Sequence, residues 1–232
     1  MKRSRYAVLQ LLLLLPTLPA HANLTVHPMR TSVDSKRGAQ IRVYSQSPQP
    51  QYVQASLRRI IDPAGTGEHE VDVALDAAAI VATPGKFALA GGGNRLIRLI
   101  PLQPVSHETA YRVYFEGVSA PEENAMDLPG NPQAKVGVSL VWGALVNVLP
   151  TNGRVEVELH GRQLANTGTL RLGITSIADC EQTRCVAHDV SRSLYPGSSL
   201  ELPFVPTPGH QLQLRYRLSR DGYREHTTTL SP

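Results

Sequence analysis

The stretch KVGVSLVWGALVNVL, residues 135–149, is the most informative part of this 232-residue chain. In its first half Val136, Val138 and Leu140 alternate with small residues, so three apolar side chains line one face of a predicted strand. From 141 to 149 the run is almost wholly apolar. Strands with such continuous apolar runs are typically covered on both faces. We therefore predict a long strand whose second half is buried on both faces.

The segment before this strand, SAPEENAMDLPGNPQA at 119–134, is rich in proline, glycine, asparagine and acidic residues, which predicts a loop without regular structure. An apolar strand that begins at such a loop promotes aggregation when it lies at the edge of a sheet. Proteins retain such an edge when its task is to pair with another chain. The sequence therefore predicts a strand that pairs with a partner protein.

Short alternating runs between turn signals recur along the rest of the chain, and no helical periodicity of useful length is present. This spacing is typical of β-sandwich domains, which have about 100 residues each. One sandwich is too small for all these strands, and the turn sequence Pro-Thr-Asn-Gly follows the long strand at 150–153. We therefore predict an all-β protein of two domains, 23–149 and 150–232. The predicted strands are 39–46, 52–61, 95–102, 111–118, 154–161, 169–177, 199–204 and 210–219, and 71–82 is predicted as strand and turn rather than helix.

The first 22 residues have the features of a cleaved export signal. Basic residues come first, a short apolar run follows at 8–15, and Ala20-His21-Ala22 has the A-x-A form of a cleavage site. The alternative, a membrane anchor, requires about 20 consecutive apolar residues. The signal removes three basic residues and no acid, which leaves twenty basic and nineteen acidic residues, a net charge near +1. The sequence therefore gives no support for nucleic-acid binding or for insertion into a membrane.

The two cysteines, Cys180 and Cys185, are close together in the sequence. In an exported chain this spacing predicts a disulfide that closes a small loop. The competing interpretation is a zinc site, but a single C-x4-C lacks the second pair of ligands that a closed site needs. We therefore predict a disulfide and no metal.

Motifs of catalysis are absent from the sequence, which has no G-x-S-x-G, no H-E-x-x-H and no P-loop. We accordingly predict no enzymatic activity and no cofactor. Arg98 has apolar neighbours in RLIRLI, which predicts a partly buried charge that needs a partner. Glu108 opens the following strand, and Arg30 lies near the predicted first strand. For each of these residues ordinary exposure at the surface is the alternative.

Several loose motifs, in their order and spacing, resemble the periplasmic chaperones of the chaperone–usher pilus pathway (PapD-like) over the whole mature length. The sparse match indicates the divergent, alternate branch of these chaperones. The motifs are M-R-T at 29–31, TPGKFALAGGGNRLIRL at 83–99, HETAYRVYFEGV at 107–118, the alternating strand after its loop, LANTGTLRL at 164–172 and LYPGSSLELP at 194–203.

This resemblance implies two immunoglobulin-like β-sandwich domains in an L or boomerang arrangement. It also implies donor-strand complementation, in which the chaperone lends its strand G1 to an incomplete pilin subunit. Val136, Val138 and Leu140 match the donated side chains, and Trp142 is a candidate fourth. Arg30 matches the arginine that holds the C-terminal carboxylate of the pilin in the cleft between the domains.

The chain departs from the family pattern at the second cation of that cleft. The family has a lysine at the position of Leu145, and the sequence does not indicate what replaces it. Arg98 and Glu108 match an internal ion pair that, in the family, is joined by an aspartate of the second domain. Asp221 is the candidate for that third member.

The resemblance further implies a location in the periplasm of a Gram-negative bacterium after signal cleavage near Ala22, with pilin subunits and an outer-membrane usher as partners. It leaves open whether the free protein caps itself as a dimer through its G1 edges. Two other interpretations remain. A structural pilin or adhesin subunit usually has one sandwich and an N-terminal donor strand. An exported enzyme on a β-sandwich would be favoured by paired carboxylates in an aromatic cleft, but aromatic residues are only 5% of the chain.

Overall fold

The computed structural model describes residues 23–118 and 140–231, and its regular structure is almost entirely β-strand. Within these two ranges one 3₁₀ turn, Ser219–Asp221, interrupts this pattern. No helix among these residues has the length and hydropathy of a membrane-spanning segment. The strands are β1 Leu24–His27, β2 Arg30–Val33, β3 Ala39–Ser45, β4 Gln51–Ile61, β5 His69–Asp72, β6 Ile80–Thr83, β7 Lys86–Leu89, β8 Asn94–Pro101, β9 Thr109–Val118, β10 Val141–Val148, β11 Val157–His160, β12 Gln163–Asn166, β13 Leu172–Glu181, β14 Arg184–Leu194, β15 Ser199–Glu201, β16 Gln211–Arg217 and β17 Glu225–Leu230.

The first ten strands form one sandwich of two sheets. One sheet has the order β1-β3-β8-β6, and the other has the order β2-β10-β9-β4-β5, with β7 also paired to β4. Alternation places one face of each strand inside: Ile41 and Val43 of β3 are fully buried, as are Ile97 and Leu99 of β8. These side chains pack with Phe115 of the facing sheet in one apolar core.

The remaining strands form a second sandwich with its own core. Its sheets have the orders β11-β12-β15 and β14-β13-β16-β17. Leu164, Leu172 and Leu214 lie in a core cluster that shares no buried residue with the first. The all-β prediction with two sandwiches is confirmed. The exact boundary at 149/150 stays a prediction, although the sheets change between Val148 and Val157.

Most predicted strands are present at nearly their predicted positions. The run 71–82 forms the end of β5, a turn and the start of β6, as its alternation and following proline predicted. The described part of the long strand begins at Val141. Val146, Asn147 and Val148 are all buried, so burial on both faces holds at the end of the run, whereas Val141 is exposed and the prediction was wrong there. Val146 and Val148 belong to the core of the first sandwich, whereas Asn147 contacts Tyr195 of the second.

The predicted disulfide is present. Cys180 and Cys185 are bonded near the tip of the β13–β14 hairpin, where they are directly paired residues of the two strands. The described residues contain no free cysteine.

Candidate functional site

Strand β10 has an edge that is only half covered. On one side β9 pairs with all of Val141–Val148, but on the other side β2 pairs in parallel with Leu145–Val148 alone. No described strand pairs with the Val141–Ala144 half of that edge. The backbone N–H of Leu145 donates to the carbonyl of Met29 on the β2 side. Because alternate residues of a strand direct their backbone groups to the same side, Val141 and Gly143 direct theirs to the uncovered edge.

Apolar side chains surround the start of this edge. Leu140 is 52% exposed and Val141 is 49% exposed. Val136 and Val138, the other predicted donated residues, lie outside the described residues. Trp142 differs from the expectation, because its ring is mostly buried against the core of the first sandwich. Most of its apolar surface is therefore already used within the chain and is not available as a donated side chain.

Arg30 lies where the covered and uncovered halves of the edge meet. It is the first residue of β2, is exposed, and lies opposite Leu145 of β10. Its guanidinium carbon is 5.0 Å from the ring centre of Tyr223, which is cation–π distance. A partner strand on the uncovered edge, parallel to β10, would run in line with β2 and direct its carboxyl end towards Arg30. The structure thus brings together the uncovered edge of β10 and the Arg30 side chain, which the sequence predicted separately.

The predicted ion network of Arg98, Glu108 and Asp221 is not formed among the described residues. Arg98 is exposed on β8, because its neighbours Ile97 and Leu99 occupy the inward positions of that strand. The expectation of a partly buried Arg98 was therefore wrong, since alternation in RLIRLI suffices to keep the charge in water. Asp221 instead contacts the ring of His226, with 2.5 Å between Oδ2 and Nε2.

Glu108 is buried where the two sandwiches meet, with 2% of its surface exposed. Its Oε1 accepts a hydrogen bond from the Ser219 hydroxyl at 2.7 Å, and its Oε2 accepts one from the backbone N–H of Arg171 at 2.9 Å. Burial raises the pKa of the Glu108 carboxyl above its ordinary value, and these hydrogen bonds only partly oppose the effect. Glu108 therefore joins the two sandwiches through hydrogen bonds and not through the predicted ion pair.

Sequence analysis missed a group of polar side chains at this junction. Asn147 is fully buried and its amide donates to the Tyr195 hydroxyl at 3.0 Å. Arg171 lies between Leu170 and Leu172 in the sequence. Arg98 also has apolar neighbours, and that pattern was taken to predict a partly buried charge. Here the signal is correct: Arg171 is buried, with its guanidinium 5.9 Å from the ring centre of Tyr195. Single-strand periodicity cannot separate the two arginines, because the guanidinium of Arg171 contacts Ser193 and Tyr195, which are distant from it along the chain.

Leu145 occupies the position of the family's second cation and supplies no charge. Its side chain packs instead on a small apolar cluster formed by Ile60, Ala110 and Tyr195. Within residues 23–118 and 140–231, no group of three histidine, cysteine or acidic side chains is arranged to hold a metal ion.

Comparisons with known proteins place this arrangement among fimbrial proteins. No family model matches the chain. A CS1 fimbrial subunit of Escherichia coli is 30% identical over 200 residues, with 82% of this chain and 84% of that protein covered. The crystal structure of the class 5 fimbriae chaperone CfaA superposes with a TM-score of 0.73 at 25% identity, covering 90% of this chain and all of CfaA. A chain from a structure of a chaperone–tip adhesin complex of CFA/I fimbriae biogenesis gives a TM-score of 0.71 at 24% identity, over 91% of this chain and all of that one.

Proposed function

The chain belongs to the PapD-like fimbrial chaperones of the chaperone–usher pathway, and on that premise we propose that it binds pilin subunits by lending them the uncovered edge of β10. Fimbrial subunits that lack a strand expose an apolar groove and aggregate, and an added strand closes such a groove. The protein performs this role without catalysing a reaction. It acts in the periplasm after removal of residues 1–22, and it passes its subunits to an outer-membrane usher.

One observation carries this proposal: the Val141–Ala144 edge is unpaired among the described strands, and it ends in register at Arg30. Main-chain hydrogen bonds along the edge would bind a partner strand of any sequence. Leu140, together with Val136 and Val138, would supply the side chains that fill the groove. Each side chain buried in this way contributes about 1.5–3 kcal/mol.

Arg30 gives the binding its register. The terminal carboxylate of a pilin strand that runs parallel to β10 would reach the guanidinium, and Arg–carboxylate pairs are often bidentate. A partner strand shifted by one residue would turn its apolar side chains away from the groove. A fixed carboxylate at Arg30 prevents such a shift, so the arginine selects the correct pairing as well as adding affinity.

A structural component of the fimbria is the second candidate, because two relatives are named fimbrial subunits. Two sandwiches in one chain, with the open strand edge in the middle of the sequence, favour the chaperone. Electron microscopy with an antibody to this chain distinguishes the two: a structural component labels the assembled fibre, and a chaperone does not.

The direct test removes one hydrogen-bond donor from the uncovered edge. Val141→Pro deletes an N–H that faces this edge, and proline is tolerated on an edge strand where its missing N–H would face solvent in the free protein. Val141→Thr is the matched control, because threonine is also β-branched and keeps the N–H. Each variant is expressed with the genes of the fimbrial subunits, and the subunits retained on the tagged chaperone are measured.

We expect Val141→Pro to retain few subunits while melting like the wild type, and Val141→Thr to retain them as the wild type does. Equal retention by a folded Val141→Pro would show that subunits are not bound by pairing with this edge.

A further inference from the structure

The uncovered half of β10 contains a glycine. Gly143 lies between Trp142 and Ala144, and it is the one glycine of this strand. A glycine has no side chain to pack and loses more backbone freedom on ordering than any other residue, so it weakens a strand. Pairing with β2 begins only at Leu145, so among the described strands only β9 pairs with the backbone at Gly143. Further contacts are therefore needed to hold this part of β10 extended.

Two side chains of β9 lie directly over the Gly143 backbone. A Cβ atom added at Gly143 would lie 2.9 Å from Cδ of Arg112 and 3.0 Å from Cε1 of Tyr114, which is too close for either. Tyr114 is directly opposite Gly143 in the antiparallel pair, and Arg112 is two residues away on the same face. A Cβ atom added at Gly117 of β9, by contrast, would meet nothing within 4 Å among the described residues. The cover is thus a feature of Gly143 and not of every glycine in this sheet.

The carboxylate of Glu70 holds both covering side chains. The Tyr114 hydroxyl donates to Glu70, with 2.8 and 2.7 Å to its two carboxylate oxygens, and Nη1 of Arg112 donates to Oε1. The Glu70 side chain is only 16% exposed, and hydrogen bonds to ionised groups are stronger than those between neutral groups. Glu70 belongs to β5, at the far edge of the same sheet. One sheltered carboxylate therefore fixes the polar ends of both side chains.

The other face of the uncovered half is covered as well. The Trp142 ring packs against the core of the first sandwich, and β9 pairs along one edge of Val141–Ala144. Tyr114 and Arg112 cover the outer face, so this half of β10 is held on both faces and along one edge. Its free direction is the edge at which a partner strand would pair. The backbone is thus already extended as a partner strand requires.

We propose that Glu70, Arg112 and Tyr114, here called the Glu70 cluster, are positioning residues that hold the uncovered half of β10 extended before a subunit arrives. This inference rests on the proposed function, because it concerns the same strand edge. Ordering a flexible segment on binding costs conformational entropy, and a segment that is ordered beforehand avoids this cost. The Glu70 cluster should therefore increase the rate at which the chaperone captures a subunit.

The chain offers a matched control on the same sheet. Arg58 of β4 pairs with Asp72 of β5 at 3.1 Å, and their side chains are 47% and 85% exposed. Like the Glu70 cluster, this pair joins an arginine to an acid of β5, but neither β4 nor β5 is adjacent to β10. Asp72→Asn thus removes an ion pair of the same kind without uncovering Gly143. Glu70→Gln removes the charge of the cluster, and Tyr114→Phe removes its hydroxyl while keeping the ring.

Four backbone amides of β10 report whether the strand stays on β9. Because Gly143 directs its backbone groups to the uncovered edge, the even-numbered residues of β10 direct theirs to β9. Trp142 and Ala144 lie in the uncovered half, whereas Val146 and Val148 lie in the half that β2 covers. Hydrogen exchange of these four amides, followed by NMR in the free full chain, therefore compares the two halves of one strand.

We expect Glu70→Gln and Tyr114→Phe to lower the protection of the Trp142 and Ala144 amides about tenfold or more, because local opening becomes easier. Protection of Val146 and Val148 should stay close to that of the wild type. Asp72→Asn should change none of the four amides. Since both covering side chains act through one carboxylate, the double variant should lose little more than the more affected single variant.

Capture is measured with one pilin subunit that co-purifies with the wild-type chaperone. The subunit is unfolded in urea and diluted into excess chaperone, and the complex is separated by ion exchange at successive times. We expect Glu70→Gln and Tyr114→Phe to form the complex about threefold or more slowly, because binding then includes the ordering of β10. Asp72→Asn should match the wild type. A cluster that only stabilised the sandwich would lower the melting temperature and leave the rate of capture unchanged.

The outcomes separate this inference from the proposed function. Wild-type protection of Trp142 and Ala144 in both folded variants would overturn the inference, and so would lower protection with an unchanged rate of capture. An equal fall at Val146 and Val148 would indicate general destabilisation and would overturn it too. If Glu70→Gln fails to fold, Tyr114→Phe, which removes one oxygen atom, carries the test. Failure of the wild-type chaperone to capture any subunit would overturn the proposed function itself, and the exchange data would still decide whether the Glu70 cluster holds β10.

Discussion

Replacing Leu140 by glutamate is expected to abolish pilin binding without unfolding the chaperone. Leu140 is 52% exposed in the free protein, so about half of its surface is left for a partner to cover. Full burial of a leucine contributes about 1.5–3 kcal/mol, and the lost half therefore costs about 1 kcal/mol. Placing a carboxylate in an apolar groove adds a desolvation cost of about 2 kcal/mol or more. Together they predict a loss of about a hundredfold or more in affinity.

The assay is a competition within the cell. Wild-type and variant chaperones with different tags are expressed together with the fimbrial subunits, and the ratio of pilin on the two tags gives their relative affinity. Leu75→Glu is the matched control, because Leu75 is 67% exposed in a turn between β5 and β6. It introduces the same charge far from β10 and should compete equally with the wild type.

Leu140→Ala refines the interpretation. It removes apolar surface without adding a charge, so its loss should be about tenfold or less. A Leu140→Glu protein that shares pilin equally with the wild type would refute the placement of Leu140 in the donated row. Unequal melting temperatures of Leu140→Glu and wild type would contradict the premise that this side chain is near solvent in the free chaperone.

Three further results are expected. Arg30→Ala should lower pilin retention sharply and Arg30→Lys should lower it less, since lysine keeps the charge but loses the bidentate geometry; equal retention by all three proteins would place the carboxylate elsewhere. Reduction of the Cys180–Cys185 bond should lower the free energy of unfolding by only about 2 kcal/mol in urea titrations, because the closed loop is short. Folding raises the pKa of Glu108, so its carboxyl binds a proton more tightly in the native state than in the unfolded state. The free energy of unfolding should therefore rise as the pH falls from neutral through that pKa towards 4.5. Glu108→Gln should flatten this rise in thermal melts at several pH values.

The local sequence pattern was sufficient to predict strands and exposure wherever a residue's neighbours in space come from its own strand and the adjacent one in the sequence. Alternation predicted the β3, β4, β8 and β9 strands closely, and it explains why Arg98 is exposed although its neighbours are apolar. The predicted disulfide also depended on local information, since its two cysteines lie five residues apart in one hairpin. The short strands β1, β2, β7 and β12 were missed, because four residues carry too little periodicity to be recognised. The longer strands β14 and β17 were missed as well, because both lie at the edges of their sheet and bury few apolar side chains, so no apolar alternation marks them.

The sequence by itself thus determined an all-β chain of two sandwiches, a strand with an apolar face beside a loop, and a cation near the predicted first strand. Tertiary structure alone decided which edge of β10 stays uncovered, because that depends on where β2 ends against it. It also decided that Arg171 rather than Arg98 is buried, and that Glu108 bonds to Ser219 across the junction of the sandwiches. Burial of a charge is set by what packs over it. For Arg171 the contacts include Ser193 and Tyr195, more than twenty positions away along the chain, which no local pattern records.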